Sequence, residues 1–162
     1  MKTIFFRRNI FALFATTILS VSFIACDKDD NNDDNMDSRS YTTSGNASGS
    51  QQNPPVATTG TGTLTGTYNA QTNAWQYSVN WSTLSSAATI VELHGPASAG
   101  ANGNLLLALT ITTPGITGAA TGSVSLTEQQ EDYLLAGQVY YTVITATNIT
   151  GEIRGQVTAT VQ

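Results

Sequence analysis

The chain changes its hydrophobic rhythm twice. Residues 10–25 are almost continuously apolar, 27–59 are polar with scattered apolar positions, and from Gly60 onward apolar and polar residues alternate. The alternation is clearest at 75–82, where Trp75, Tyr77, Val79 and Trp81 are spaced by Gln76, Ser78 and Asn80. Such a period of two describes a strand with one face on a core and the other on solvent. The aromatic row is therefore predicted to be core-facing rather than an exposed platform for a ligand. Residues 156–162 repeat the pattern, and 64–70, 89–94, 104–112, 123–126 and 139–147 predict further strands. Gly, Asn, Pro and Thr clusters at 69–73, 95–103, 113–122 and 148–151 supply the turns between them. Tyr140 and Tyr141 are adjacent on one strand, so one of them points away from the core and becomes a candidate binding residue.

One stretch breaks the period. Thr127-Glu128-Gln129-Gln130 has the form of a capping box, and Gly137 follows Leu134-Leu135 as a stop. It predicts a single short helix at 128–136. Many short strands, one brief helix and no strand–helix alternation predict an all-β fold, an antiparallel Greek-key β-sandwich or barrel.

The N-terminal stretch carries an address. Lys2, Arg7 and Arg8 precede the apolar run 10–25, which stops at Cys26. A basic start, a short apolar core and small residues before the break describe a secretory signal. The run is also shorter than the roughly 20 apolar residues of a membrane-spanning helix. Phe23-Ile24-Ala25-Cys26 resembles a bacterial lipobox, which implies that Cys26 becomes the lipidated first residue and anchors the chain to a membrane. As the sole cysteine, Cys26 leaves no partner for an internal disulfide. The acidic run after it is too charged to order itself by burial. Within that run, Lys28-Asp29-Asp30 resembles the export signal of Bacteroidetes-type lipoproteins, implying the outer membrane and the cell surface of a Gram-negative bacterium. Residues 38–59, rich in Ser, Thr, Gly, Asn and Gln and stiffened by Pro54-Pro55, read as a linker. The expected organisation is a signal at 1–25, a lipidated tether at 26–59 and one domain at 60–162.

Charge narrows the choice of partners. With the signal removed, Lys28, Arg39 and Arg154 stand against all eleven acidic residues. Inside the domain Arg154 alone faces Glu92, Glu128, Glu131, Asp132 and Glu152. Nucleic-acid binding needs several cations to displace phosphate counterions, so it is excluded, as is electrostatic docking to anionic lipid. Catalytic arrangements are equally poor. His94 is the only histidine, no Gly-x-Ser-x-Gly elbow precedes a helix, and Gly60-Thr61-Gly62 has neither the lysine nor the helix of a phosphate loop. The chain is not expected to be an enzyme.

Four blocks carry a family resemblance: Leu64-Thr65-Gly66-Thr67-Tyr68-Asn69, Leu93-His94-Gly95-Pro96-Ala97, Leu134-Leu135-Ala136-Gly137 and Gly151-Glu152-Ile153-Arg154-Gly155-Gln156. In this order they resemble the CHRD domain, named after chordin, over residues 60–162. The resemblance implies a Greek-key sandwich related to that of copper/zinc superoxide dismutase. It also implies His-x-His where this chain has Glu92 and His94, and a third histidine where it has Ile144. The candidate site is Glu92, His94, Glu152 and Arg154, expected to cluster. One imidazole and one carboxylate are short of the three protein ligands of catalytic zinc, so no cofactor is expected. Weak zinc or copper binding by His94 and Glu92 is the alternative. His94 otherwise serves the Gly95-Pro96 turn, and Arg154 either binds loop carbonyls or clamps a carboxylate ligand. A non-enzymatic binding or structural module with an extracellular protein or glycan as partner is the expected function.

Overall fold

In a computed structural model, which describes residues 39–162, the alternating segments become strands of one antiparallel sheet. The signal at 1–25, Cys26, and Lys28, Asp29 and Asp30 lie outside the described residues. The elements run β1 (Ser40–Ser48), a 3-10 turn (Gly49–Gln51), β2 (Thr61–Asn69), β3 (Ala74–Ser82), β4 (Ala88–Gly95), β5 (Asn104–Leu109), β6 (Ile111–Thr113), β7 (Gly118–Ser125), α1 (Glu128–Leu135), β8 (Val139–Thr145) and β9 (Ile153–Val161). Strand order is β5-β4-β8-β9-β1-β2-β3-β7-β6. The first three strands form a meander. The chain then crosses to place β4 beside β8 and returns to place β7 beside β3, so neighbours in the sheet are often distant in sequence.

The two ends of that order are one piece of chain. β5 and β6 are separated only by Thr110, so a single extended segment pairs with β4 through its first half and with β7 through its second. This partner switch closes the sheet around its core. At the switch the Thr110 N–H is donated to the Tyr77 hydroxyl at 3.1 Å, so the ladder break leaves no orphan donor there. The aromatic row fills the interior as expected: Trp75, Tyr77, Val79 and Trp81 are 0, 8, 0 and 3 % exposed. Their indoles are satisfied inside, Trp75 Nε1 by Thr43 Oγ1 and Trp81 Nε1 by the Gly115 carbonyl, each at 3.0 Å. The helix carries its reciprocal capping box between Thr127 and Gln130 and ends before Gly137, whose φ is +67°.

The linker expected at 38–59 is not one. β1 lies in the middle of the sheet, hydrogen-bonded to β2 along its whole length and to β9 on its other side. Its inward positions are Tyr41, Thr43, Gly45 and Ala47, small or polar except for the first, so hydrophobicity along the chain does not reveal the strand. Their size is nevertheless dictated. Thr43 is fully buried beneath the Trp75 indole, and a Cβ on Gly45 would collide with the Gln156 carbonyl across the β1–β9 ladder. Residues 49–58 then lie over the outside of the sheet. In the same way β7 begins at Gly118, inside the stretch 113–122 read as turn.

A chain starting at Gly60 loses two ladders at once, more than the about 5–15 kcal/mol by which a domain is stable. It is expected to lack the strand signature in far-UV circular dichroism and the amide dispersion in NMR that a chain starting at Arg39 retains.

Candidate functional site

Strand alternation sorts the residues of β4, β8 and β9 between two faces. Val91, Leu93, Tyr141, Val143, Ile153 and Val157 enter the core, while Glu92, His94, Tyr140, Thr142, Arg154 and Gln156 point outward. The outward face is roofed by two segments, 49–55 and 96–103. Asn53 Nδ2 donates to the Gly100 carbonyl at 2.9 Å, and Asn102 Nδ2 donates to the Asn53 carbonyl at 3.1 Å, tying the segments to each other. Gln52 Nε2 donates to Thr142 Oγ1 at 2.8 Å, tying the first to β8.

Arg154 holds the second segment from below. It is 1 % exposed, and its guanidinium donates to the Ala101 carbonyl at 2.6 Å, to Asn102 Oδ1 at 3.3 Å and to the Ser98 carbonyl at 3.5 Å. Its Cζ lies 3.4 Å from the centroid of the Tyr140 ring. Burial lowers its pKa and the neighbouring Tyr140 raises it, and a guanidinium keeps its charge throughout the physiological range. His94, from the strand on the other side of β8, stacks on the same tyrosine at 5.2 Å and 11°. Its Nε2 lies 2.9 Å from Glu92 Oε2 and its Nδ1 3.2 Å from the Gly103 carbonyl. Both neighbours are acceptors, so the ring donates to both only when doubly protonated. The Tyr140 hydroxyl accepts from the Gly103 N–H at 3.2 Å. The sequence expectation of an exposed tyrosine is thus corrected: Tyr140 does leave the core, but His94, Arg154 and the roof leave it 5 % exposed.

Of the four residues expected to cluster, His94, Glu92 and Arg154 come together around Tyr140. Glu152 does not join them. It is fully buried at the foot of β9, where its carboxylate accepts from Thr58 Oγ1, the Ser85 N–H, Ser85 Oγ and Thr145 Oγ1 at 2.6–2.8 Å. Burial alone would raise its pKa, and the donors from Ser85, Thr58 and Thr145 outweigh it, bringing the group down to about 2. Among the described residues no three His, Cys, Asp or Glu side chains converge as metal ligands. Glu92 and His94 are instead each other's partners, and Ile144 lines the cleft where a third imidazole was implied.

Two cavities adjoin the Asn53–Asn102 bridge. A cleft of about 430 Å³ contains Glu92, His94, Tyr140, Thr142 and Ile144, and a second of about 340 Å³ lies over Arg154 and Gln156. Gln52 and Asn53 line both. These two residues, Asn102 and Gln156 escape the sequence reading. Gln52 and Asn53 fall in the supposed linker, and Gln156 gives no signal beyond its place at the end of Gly-Glu-Ile-Arg-Gly-Gln.

The profile of the CHRD domain family matches residues 43–157. The chain belongs to the CHRD domain family. No curated protein and no solved structure matches it. The match begins inside β1, so the strand hidden in the polar stretch belongs to the CHRD domain, in place of the boundary at Gly60. The structure also explains its last block residue by residue. Gly151 has φ +118°, and a Cβ there would strike Thr142 and Gln52; Glu152 gathers four donors; Ile153 fills the core; Arg154 holds the roof. Gly155 lies under Tyr141, whose Cε1 would be 2.6 Å from an added Cβ.

Replacing Glu152 with Gln in the CHRD domain turns some of the donors facing it into clashes, an expected cost of about 1–3 kcal/mol at pH 7. The wild-type carboxylate contributes fully above the unfolded-state pKa of about 4.3, and its contribution is lost as the pH falls through the folded value of about 2. Urea unfolding of both proteins is therefore expected to give a stability gap that is full at pH 7 and shrinks steadily from pH 4.5 to 2. A gap constant across that range would contradict this account of Glu152.

Proposed function

We propose that this protein is a lipoprotein, anchored through Cys26 in the outer membrane, that displays its CHRD domain at the cell surface as a non-enzymatic binding module. The roofed face of β4, β8 and β9 is its binding surface. The observation that carries the reading is that the cation and the fully buried acid of that face are committed to holding the fold. His94 stacks on Tyr140 between Glu92 and the Gly103 carbonyl, Glu152 is sealed among its donors, and Arg154 is held by loop oxygens and Tyr140. General acid–base or nucleophilic catalysis requires a group free to move a proton to a substrate, and Glu152 and Arg154 are bound up in supporting the fold. A roofed face beside two cavities of mixed polar and apolar lining suits a recognition surface.

The anchor is supported by the lipobox-like Phe23-Ile24-Ala25-Cys26, and surface display by Lys28-Asp29-Asp30. With β1 starting at Ser40, the stretch between the anchor and the domain is 27–39. In cells fed a labelled fatty acid, the wild-type protein is expected to carry label and sediment with membranes, and Cys26→Ser to be unlabelled and soluble. Protease added to intact cells should remove the wild-type domain but spare it when Lys28, Asp29 and Asp30 are all replaced by alanine. An unlabelled wild-type protein would contradict the anchor, and equal digestion of both would contradict the export signal.

A further inference from the structure

Glu92 and His94 point outward from β4 and keep 19 and 17 % of their side chains in solvent. Both line the cleft of about 430 Å³. Glu92 Oε2 lies 2.9 Å from His94 Nε2, and Oε1 has no hydrogen-bond partner among the described residues. The imidazole stands between two acceptors, that carboxylate and the Gly103 carbonyl at 3.2 Å. A neutral ring carries one N–H, so it turns a lone pair toward one of them. With the proton on Nδ1 the Gly103 carbonyl is served, and Nε2 and the carboxylate face each other with no proton between them. A donor arriving through the cleft serves both.

The surroundings say which donor. Glu92 is the one carboxylate lining the cleft, and no lysine or arginine joins it. Arg154 lies behind the Tyr140 ring and lines the other cavity. The domain carries more acids than bases, a field that favours a cationic ligand. Aliphatic surface adjoins the charge. Ile144 and Ile149 line the cleft, Ile149 with 78 % of its surface exposed. Ile90, the cross-strand neighbour of Ile144, is 44 % exposed. A carboxylate beside isoleucines fits an ammonium on an aliphatic stem, which lays its methylenes on apolar surface while its head stays charged. The three protons of an ammonium are directed separately, to Oε1 and to Nε2. The flat guanidinium fork is matched instead to both oxygens of one carboxylate, of which Oε2 already faces the imidazole. Ile90 is not part of the cleft lining, so a ligand that also covers it is longer than one side chain, as a polypeptide is.

We infer that this cleft receives a lysine side chain of a protein partner, its ammonium on Glu92 Oε1 and His94 Nε2 and the partner's neighbouring apolar residues on Ile149 and Ile90. The inference rests on the roofed face being a binding surface, as proposed above, and adds the chemistry of the partner. The test uses the full chain in detergent, with backbone amide and imidazole resonances followed by NMR up to millimolar probe. The probes are the blocked peptide acetyl-Gly-Leu-Lys-Leu-Gly-amide, the same peptide with arginine, norleucine or glutamate in place of lysine, and cadaverine as a free amine. Two variants accompany them. In Glu92→Gln the new amide can itself donate to Nε2, so the ring stays held while the charge is lost. Ile149→Ser alters an exposed side chain in the loop between β8 and β9, and it keeps the inference testable should the first variant fold poorly.

The lysine peptide is expected to shift the His94 ring and the amides of Glu92, Gly103 and Ile149. It should bind about tenfold tighter than the norleucine and glutamate peptides and cadaverine, and tighter than the arginine peptide. Affinity should fall about tenfold in Glu92→Gln and severalfold in Ile149→Ser, with the unfolding midpoint of Ile149→Ser unchanged. Acidification should weaken binding as well, because a second proton on His94 takes the place of the ammonium. The ionisable groups facing that ring are Glu92, Tyr140 and, beyond the tyrosine, Arg154; β5 and residues 96–103 bring none. Equal binding of the norleucine peptide, preference for the glutamate peptide, or unchanged affinity in either variant would overturn the inference and leave the binding surface standing. Tighter binding of the arginine peptide would overturn the choice of lysine, and cadaverine binding as tightly as the peptide would overturn the protein partner. No shift at Glu92, His94, Gly103 or Ile149 with any probe would overturn the inference and count against the binding surface too.

Discussion

A buried guanidinium is costly unless oxygens surround it, and Arg154 is 1 % exposed. The chain meets that demand by bending residues 96–103 so that the carbonyls of Ser98 and Ala101 and the side chain of Asn102 face inward. The flat side of the cation rests on Tyr140, an arrangement worth about 2 kcal/mol or more where water is excluded. Tyr140 is held in turn by the Gly103 amide and by the stacked His94, which is itself fixed by Glu92. Asn102 carries the same constraint outward to Asn53 and so to the strap 49–55. One charge thereby determines the course of two loops and the floor of two cavities. Lysine would not serve, because a point charge has neither the planar face nor the fork.

Beneath this outer layer the barrel is specified by simple means, and much of it can be read in advance. Where the inward residues are large, as in β3 with Trp75, Tyr77, Val79 and Trp81, alternation alone identifies the strand and its buried face. The helix announces itself through Thr127 and Gln130. The central strand β1 is hidden because its inward residues match their neighbours in size rather than in hydrophobicity. Thr43 gives its hydroxyl to an indole, and Gly45 lets two backbones approach. The closure of the sheet is hidden for another reason: nothing about Thr110 marks a change of partner, which depends on the positions of β4 and β7.

The site was legible in its charged members and obscure in its neutral ones. His94 and Arg154 stand out as single occurrences within a domain otherwise poor in charge, and they do meet across Tyr140. Glu152 sits two residues from Arg154 on the same face, yet 85, 58 and 145 supply its partners, so periodicity places it correctly on the strand and wrongly in the cluster. Gln52, Asn53, Asn102 and Gln156 acquire meaning only when the roof folds over β9. An amide with both protons spent, on the carbonyls of Ala97 and Gly137, is a property of the assembled layer.

The central claim is that the Arg154 guanidinium organises the roof without being needed for the barrel. Amide hydrogen exchange of wild type and Arg154→Lys measures this directly, because exchange reports the opening free energy of each segment separately. The account requires exchange at 98–103 and 51–53 to accelerate by about tenfold or more, an opening cost lower by about 1.4 kcal/mol, while β1, β2 and β3 keep their protection. Unchanged exchange in the two roof segments, or a uniform loss of protection through all strands, would contradict it.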